Sequence, residues 1–164
     1  MVILKKFALC LFAAAISSYA YADIIELDAV NPDHCRQQIL QSTDNLPIIA
    51  AYTSNQYDDN SKLFMEKFEL LAKAHPERTF FKWDAEKDVG HLTQSICLQQ
   101  LGLLTPPTMM LLGVFKDDNS DQMFMSSPLR LEWAGQITRE EMNKFIDVSD
   151  PNIKKAFLSQ KNHP

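Results

Sequence analysis

The chain has 164 residues, of which 46% are hydrophobic and 23% charged, with only 4 glycines. This length and composition predict one globular domain and argue against a disordered chain, a collagen-like chain or a repeat array. The formal net charge of −5 makes the chain a poor general binder of nucleic acid or anionic lipid.

The first 22 residues have the pattern of a cleavable signal peptide. Lys5 and Lys6 precede the apolar run 7–16, and the segment 19–22 (YAYA) supplies the small-x-small pattern that a signal peptidase reads. A membrane anchor is the competing interpretation, but a bilayer span needs about 20 apolar residues. We therefore expect cleavage after Ala22, which removes two lysines and no acid and moves the formal charge to −7.

Strands alternate with helices along the remaining chain. Asn31 and Pro32 are typical of a helix start, and Thr138 with Glu141 is typical of a capping box. The near-continuous apolar run 46–53 is typical of a strand buried on both faces. The predicted strands are 23–27, 46–53, 79–84, 108–115 and 129–135, and the predicted helices are 32–41, 61–74, 91–101 and 138–148. This order predicts an α/β sandwich whose last two strands form an antiparallel hairpin.

The sequence also predicts the inward face of the third helix, the connection before the last strand and the C-terminal segment. In the third helix, Leu92 and Ile96 are expected to face the core with Cys97, and Gly102 is expected to end the helix. The connection 116–128 between the last two strands is unusually long, which fits either a partner-binding loop or a disordered one. Residues 149–164 are predicted to form a C-terminal extension with a turn of helix around 153–158.

The segment 100–108 (QLGLLTPPT) and the apolar strand after it resemble the thioredoxin superfamily. Gly102, Pro107 and Thr108 match the family pattern at the same spacing, between a third helix and a strand, and Asp84 at a strand end also fits. The resemblance covers about residues 23–148 and implies a thioredoxin-like sandwich, with a central mixed sheet and helices on both faces.

The sequence departs from that family at its active site. Where thioredoxins carry Cys-x-x-Cys at the start of the second helix, this chain has Asp58-Asp59-Asn60-Ser61. Thiol exchange requires a low-pKa sulfur at a helix N-terminus and a second sulfur one turn away. The chain is thus expected not to be an enzyme of that kind, and these four residues are interpreted as ordinary helix-capping residues.

The second departure lies in the loop that faces this helix. In the family, the residue before the conserved cis-proline offers its N–H and C=O to an extended peptide, but here that residue is Pro106, which has no N–H. We predict a cis Pro106–Pro107 bond and a weakened peptide site. The candidate peptide-binding residues are Tyr52, Tyr57, Asp58, Pro106 and Pro107.

Cys35 and Cys97 are the cysteines that remain after cleavage, because Cys10 leaves with the signal peptide. An even pair in an exported chain suggests a disulfide. The resemblance places the first and third helices on one face of the sheet, and therefore implies a structural Cys35–Cys97 bridge. The alternatives are two buried free thiols and, less in keeping with their positions, a redox-active pair.

No metal or cofactor site is predicted. His34 lies beside Cys35 and His91 lies near Cys97, but a helix turns such neighbours to different faces. The first functional hypothesis is a non-catalytic thioredoxin-like protein of the bacterial envelope, periplasmic or secreted, that binds or helps assemble another protein. The alternatives are a thiol-disulfide oxidoreductase or isomerase that uses Cys35 and Cys97, and an exported effector.

Overall fold

The computed structural model describes residues 23–55, 58–99, 104–116, 122–132 and 137–161. The predicted signal peptide, Tyr57 and Gly102 lie outside these residues. The strands are β1 (Ile24–Glu26), β2 (Ile48–Tyr52), β3 (Phe80–Asp84), β4 (Thr108–Leu111), β5 (Val114–Lys116), β6 (Met123–Met125) and β7 (Leu129–Glu132). The α-helices are α1 (Pro32–Leu40), α2 (Asp59–Ala74), α3 (Leu92–Ile96) and α4 (Arg139–Lys161).

A five-stranded mixed sheet forms the centre of the fold, in the order β1-β3-β2-β4-β7. The strands β1, β3 and β2 are parallel, whereas β4 is antiparallel to both β2 and β7. The parallel strand β2 is buried from Ile48 to Ala51, as its apolar sequence predicts. The predicted mixed sheet is confirmed, including the antiparallel pairing of the last two predicted strands.

Alternate side chains of the sheet point into two separate apolar layers. Ile49 and Phe81 pack on one face with residues of α1 and with Cys97 and Leu98, which directly follow α3. Ile48 and Phe80 pack with residues of α2 and α4 on the other. The prediction that the first and third helices share a face is therefore confirmed, and the two clusters are hereafter the α1/α3 layer and the α2/α4 layer.

The predicted strand 108–115 was wrong as a single element, because the chain bends after Leu111 and continues as β5. The bend exchanges two bonds with Ser126, whose Oγ accepts from the Gly113 N–H at 2.8 Å and whose own N–H donates to the Gly113 carbonyl at 2.8 Å. A Cβ atom at Gly113 would overlap the Phe115 ring and lie 2.8 Å from Ile153 Cγ2, so any larger residue would displace these side chains. The long connection thus includes a second sheet formed by β5 and β6, and residues 117–121 lie outside the described part.

The third helix also differs from its prediction. It ends at Ile96, with Gln99 at a positive φ of 52°, and Leu92 and Ile96 are 50% and 41% exposed where burial was expected. Instead, Thr93 and Gln94 are buried. Polar bonds and the position of Cys97 set the register of this short helix, and the hydrophobic pattern alone did not reveal them.

The last helix continues past its predicted end at Val148 and reaches Lys161. Pro151 lies inside it and lacks the N–H that the ladder requires, while the Asn152 side-chain amide donates to the Val148 carbonyl at 2.9 Å. Asp150 accepts from Arg78 Nη1 at 2.9 Å, and Ile153 is buried in the α2/α4 layer. These anchors keep the helix on the sheet beyond the proline, so residues 149–161 continue α4.

Candidate functional site

The start of α2 is built by its capping residues, as predicted. Asp58 Oδ1 accepts from the Asn60 and Ser61 N–H groups at 3.1 and 3.2 Å, and the exposed Asp59 pairs with Lys62 Nζ at 3.2 Å. Ser61 is buried, and its Oγ accepts from the Thr53 N–H at 3.1 Å. The serine thus joins the first turn of α2 to the end of β2, a role that the sequence did not reveal.

The proline loop, residues 104–108, enters β4 beside the end of β2. The Pro106–Pro107 bond is cis, which confirms the prediction. Pro107 is buried and Pro106 is half-buried, so part of Pro106 remains accessible at the surface. Thr108 Oγ1 donates to the Thr105 carbonyl at 2.7 Å, and the Leu104 N–H donates to Gln94 Oε1 at 2.8 Å. The loop is therefore fixed by side chains on both sides of the two prolines.

Strand register brings the predicted residues to one edge of the sheet. Tyr52 is opposite Asp84 in the β2–β3 pair, and Ala51 is opposite Thr108 in the β2–β4 pair, so Tyr52 ends β2 next to the proline loop. Burial raises the pKa of the half-buried Tyr52 hydroxyl, and the carboxylates of Asp84 and Glu26 add to this effect. Tyr52, Asp58, Pro106 and Pro107 all lie at this edge, whereas Tyr57 is outside the described residues.

Next to Tyr52, the ends of β1 and β3 carry a charged cluster that the sequence did not single out. Lys87 Nζ lies 2.7 Å from Glu26 Oε1 and 3.7 Å from Asp84 Oδ2, and Lys82 Nζ lies 3.8 Å from Glu26 Oε2. The hydrogen bond from Lys87 lowers the pKa of Glu26, and the same bond raises the pKa of Lys87. These charges compensate one another locally.

Within that cluster, Asp84 is 1% exposed and acts as a backbone clamp. Its Oδ1 accepts from the Ser54 and Glu86 N–H groups at 3.1 and 3.2 Å, which joins the segment after β2 to the segment after β3. Thr53 Oγ1 also donates to the Glu86 carboxylate. The polar residue expected at the end of this strand therefore holds two loops of the site together.

The Cys35–Cys97 disulfide is present and lies away from the start of α2. The S–S distance is 2.06 Å and the Cα atoms are 5.8 Å apart. Both cysteines are fully buried in the α1/α3 layer, whereas α2 belongs to the other layer. The structural bridge implied by the resemblance is confirmed.

The histidines considered as metal ligands are separated. His34, in the first turn of α1, has its Nδ1 2.9 Å from Oδ2 of Asp28, which precedes the helix, and His91 adopts a positive φ of 57° just before α3. Within the described ranges, no three histidine, cysteine or acidic side chains converge as a metal site would require. No α-helix in that same part of the chain combines the length and the apolar character needed for a membrane span.

The order of strands, the two helical layers and the cis-proline at the edge of the sheet define a thioredoxin-like fold. Among solved structures, the chain is similar to one described as a complex of ferredoxin:thioredoxin reductase and thioredoxin f2, with a TM-score of 0.54, 18% identity, and coverage of 80% of this chain and 98% of that one. It is also similar to Chlamydomonas reinhardtii thioredoxin f2, with a TM-score of 0.53, 18% identity, and coverage of 79% and 98%. No protein-family model and no curated protein sequence matches the chain. At these identities the similarity shows the fold alone.

Proposed function

We propose that this chain is an exported, non-catalytic thioredoxin-like protein of the bacterial cell envelope. It binds an extended segment of another protein at the edge formed by Tyr52, the start of α2 and the proline loop. The mature protein acts in the periplasm or outside the cell, and the disulfide between two buried cysteines fits an oxidising compartment.

The chemistry of the α2 start supports a binding role over dithiol exchange. Asp58 uses its carboxylate to cap the helix, and Ser61 uses its hydroxyl to hold β2. Neither side chain can form a disulfide with a substrate. The cysteines of the mature chain, Cys35 and Cys97, are bonded to each other and buried on the other side of the sheet, where a substrate disulfide has no direct access.

The proline loop carries the proposal, because it keeps one half of a peptide clasp. Pro106 offers a carbonyl acceptor but no N–H donor, and it is half-buried beside the exposed Thr105. An extended segment can therefore receive one backbone bond at this residue, with additional contact to the Tyr52 ring. Loss of the second bond, worth about 0.5–1.5 kcal/mol, predicts weak and reversible binding.

Reduced and carboxamidomethylated lysozyme is a suitable probe, because it is unfolded and basic and its blocked sulfurs cannot exchange. The mature domain, labelled with ¹⁵N, is titrated with the carboxamidomethylated lysozyme, and changes in the chemical shifts of its backbone amides are recorded. We expect shifts at Tyr52, Asp58 and Thr108 and a weaker response in Tyr52→Ala. Leu70→Ala is the matched control, because Leu70 lies exposed on α2 outside this edge.

Insulin reduction by a dithiol, with and without the mature domain, separates the binding module from an oxidoreductase. We expect no acceleration by the domain. Turnover that disappears in Cys35→Ser would reject the non-catalytic proposal, and shifts confined to other surfaces would reject the proposed edge. Fractionation of cells and culture medium tests the export, since a full-length chain retained in the cytoplasm would contradict it.

A further inference from the structure

The helix α3 has little apolar anchorage of its own. It contains five residues, and its two large apolar side chains, Leu92 and Ile96, are about half exposed. A helix this short is unstable in isolation, because nucleation costs more than one turn of hydrogen bonds returns. Other contacts must therefore hold the segment against the sheet.

Three polar or covalent anchors do so. The two carboxylate oxygens of the buried Asp88 accept from the Thr93 and Gln94 N–H groups at 2.9 and 3.1 Å. Thr93 Oγ1 donates to the Ala29 carbonyl at 2.8 Å, which connects the helix to the segment before α1. At the other end, Cys97 is bonded to Cys35 of α1. The position of each residue of α3 is thus set from both ends.

One residue of this anchored helix reaches the proline loop. Gln94 is 3% exposed, and its Oε1 accepts from the Leu104 N–H at 2.8 Å, across ten residues of sequence. Leu104 lies two residues before Pro106. The bond ties the entry of the proline loop to a residue whose own backbone N–H is held by Asp88.

We propose that Gln94 is the positioning residue for the proline loop, and that Asp88 and the Cys35–Cys97 disulfide hold Gln94 in the orientation this requires. The inference that loop position governs peptide affinity rests on the proposed function above, whereas the positioning itself does not. The disulfide, although remote from the start of α2, then affects the binding edge through α3.

The test is Gln94→Met, which keeps the side-chain length and removes the acceptor. Gln38→Met is the matched control, because Gln38 Oε1 accepts from the Asp28 N–H at the same 2.8 Å, beside β1. We expect the Leu104 amide to exchange with solvent about ten-fold faster in Gln94→Met, in keeping with the loss of one hydrogen bond. In Gln38→Met the Asp28 amide accelerates instead. Gln94→Glu keeps an acceptor oxygen and should restore protection at Leu104.

Equal Leu104 exchange in Gln94→Met and wild type would overturn the proposal. If Gln94→Met does not fold, the proposal is tested in the wild-type protein by NMR. We expect a scalar coupling across the hydrogen bond, between the Leu104 amide nitrogen and the Gln94 side-chain carbonyl carbon. Absence of this coupling rejects the proposal. The affinity for carboxamidomethylated lysozyme should fall about three-fold or more in Gln94→Met and stay unchanged in Gln38→Met. Loss of Leu104 protection without any wild-type binding to this probe would reject the proposed function and leave the positioning role supported.

Discussion

The two helical layers of this protein are attached to the same sheet in different ways. In the α2/α4 layer, the 16-residue helix α2 buries Phe64, Phe68 and Leu71 against the strands. In the α1/α3 layer, α3 has five residues, exposes its large apolar side chains and is held by Asp88, Thr93 and a disulfide. Hydrophobic burial thus holds α2 against the sheet, while directed bonds hold α3.

The difference has a consequence for the binding edge. The hydrophobic effect is non-directional, whereas a covalent bond and a helix cap each require a defined geometry. The proline loop is attached through Gln94 to α3, the helix that directed bonds hold. The start of α2 belongs to the α2/α4 layer, where Ser61 Oγ accepts from the Thr53 N–H and the Asp58 N–H donates to the Asn55 carbonyl at 3.0 Å. Each side of the proposed site is therefore tied by hydrogen bonds, but the helix behind each side is anchored differently.

The largest expected effect is in the α2/α4 layer, with Phe68→Ala. The Phe68 ring is fully buried, 5.9 Å from the Phe64 ring and 5.4 Å from the Phe80 ring between centroids. We expect a loss of about 3–5 kcal/mol in the free energy of unfolding, measured by chemical denaturation, because the removed ring leaves a cavity. Leu70→Ala on the exposed side of α2 should cost well under half as much. Equal costs for the two variants would mean that α2 is not held by burial.

The second effect concerns the disulfide, in the variant Cys35→Ala with Cys97→Ala. The bridge closes a loop across a sequence separation of 62 residues, and a constraint of this kind contributes about 2–4 kcal/mol to the free energy of unfolding. Without it, the free energy of unfolding should fall more steeply with denaturant concentration, because the unfolded chain exposes more surface. We expect amide protection to fall first in α3 and at Leu104 and to persist in α2. Uniform loss of protection in both layers would show that the disulfide stabilises the whole domain equally, and would remove the proposed contrast.

Much of the fold followed from the sequence, because its signals are local. The apolar run of β2, the Asn31 and Asp58 caps and the capping box at Thr138 each depend on near neighbours, and the predicted order of strands and helices is confirmed. The wrong assignment in the third helix has a physical cause. The inward face of α3 was assigned from Leu92 and Ile96, but Asp88 and Cys97 determine which side of the helix is buried.

The candidate site was predictable to a similar extent. The cis Pro106–Pro107 bond and the residues at the start of α2 came from the family resemblance and are observed. The contacts of Gln94 with Leu104 and of Ser61 with Thr53 join segments that a linear pattern does not relate. A buried glutamine or serine has no sequence signature, so such connections require coordinates.

The smallest expected effect is a difference in the free energy of unfolding between substitutions of the α3 cap, Asp88, and the α2 cap, Asp58. Asp88 uses both carboxylate oxygens, one for the Thr93 N–H and one for the Gln94 N–H, whereas Asp58 uses Oδ1 for both of its N–H groups. Asparagine has one acceptor oxygen, so Asp88→Asn leaves one buried N–H unpaired, and we expect a loss of about 1–2 kcal/mol in the free energy of unfolding. Asp58→Asn keeps its acceptor and should cost less than about 0.5 kcal/mol, since asparagine caps helices as well as aspartate. Chemical denaturation of both variants checks this. If Asp58→Asn cost more than Asp88→Asn, α3 would not depend on its cap more than α2 does, and the proposed contrast between the two helices would be rejected.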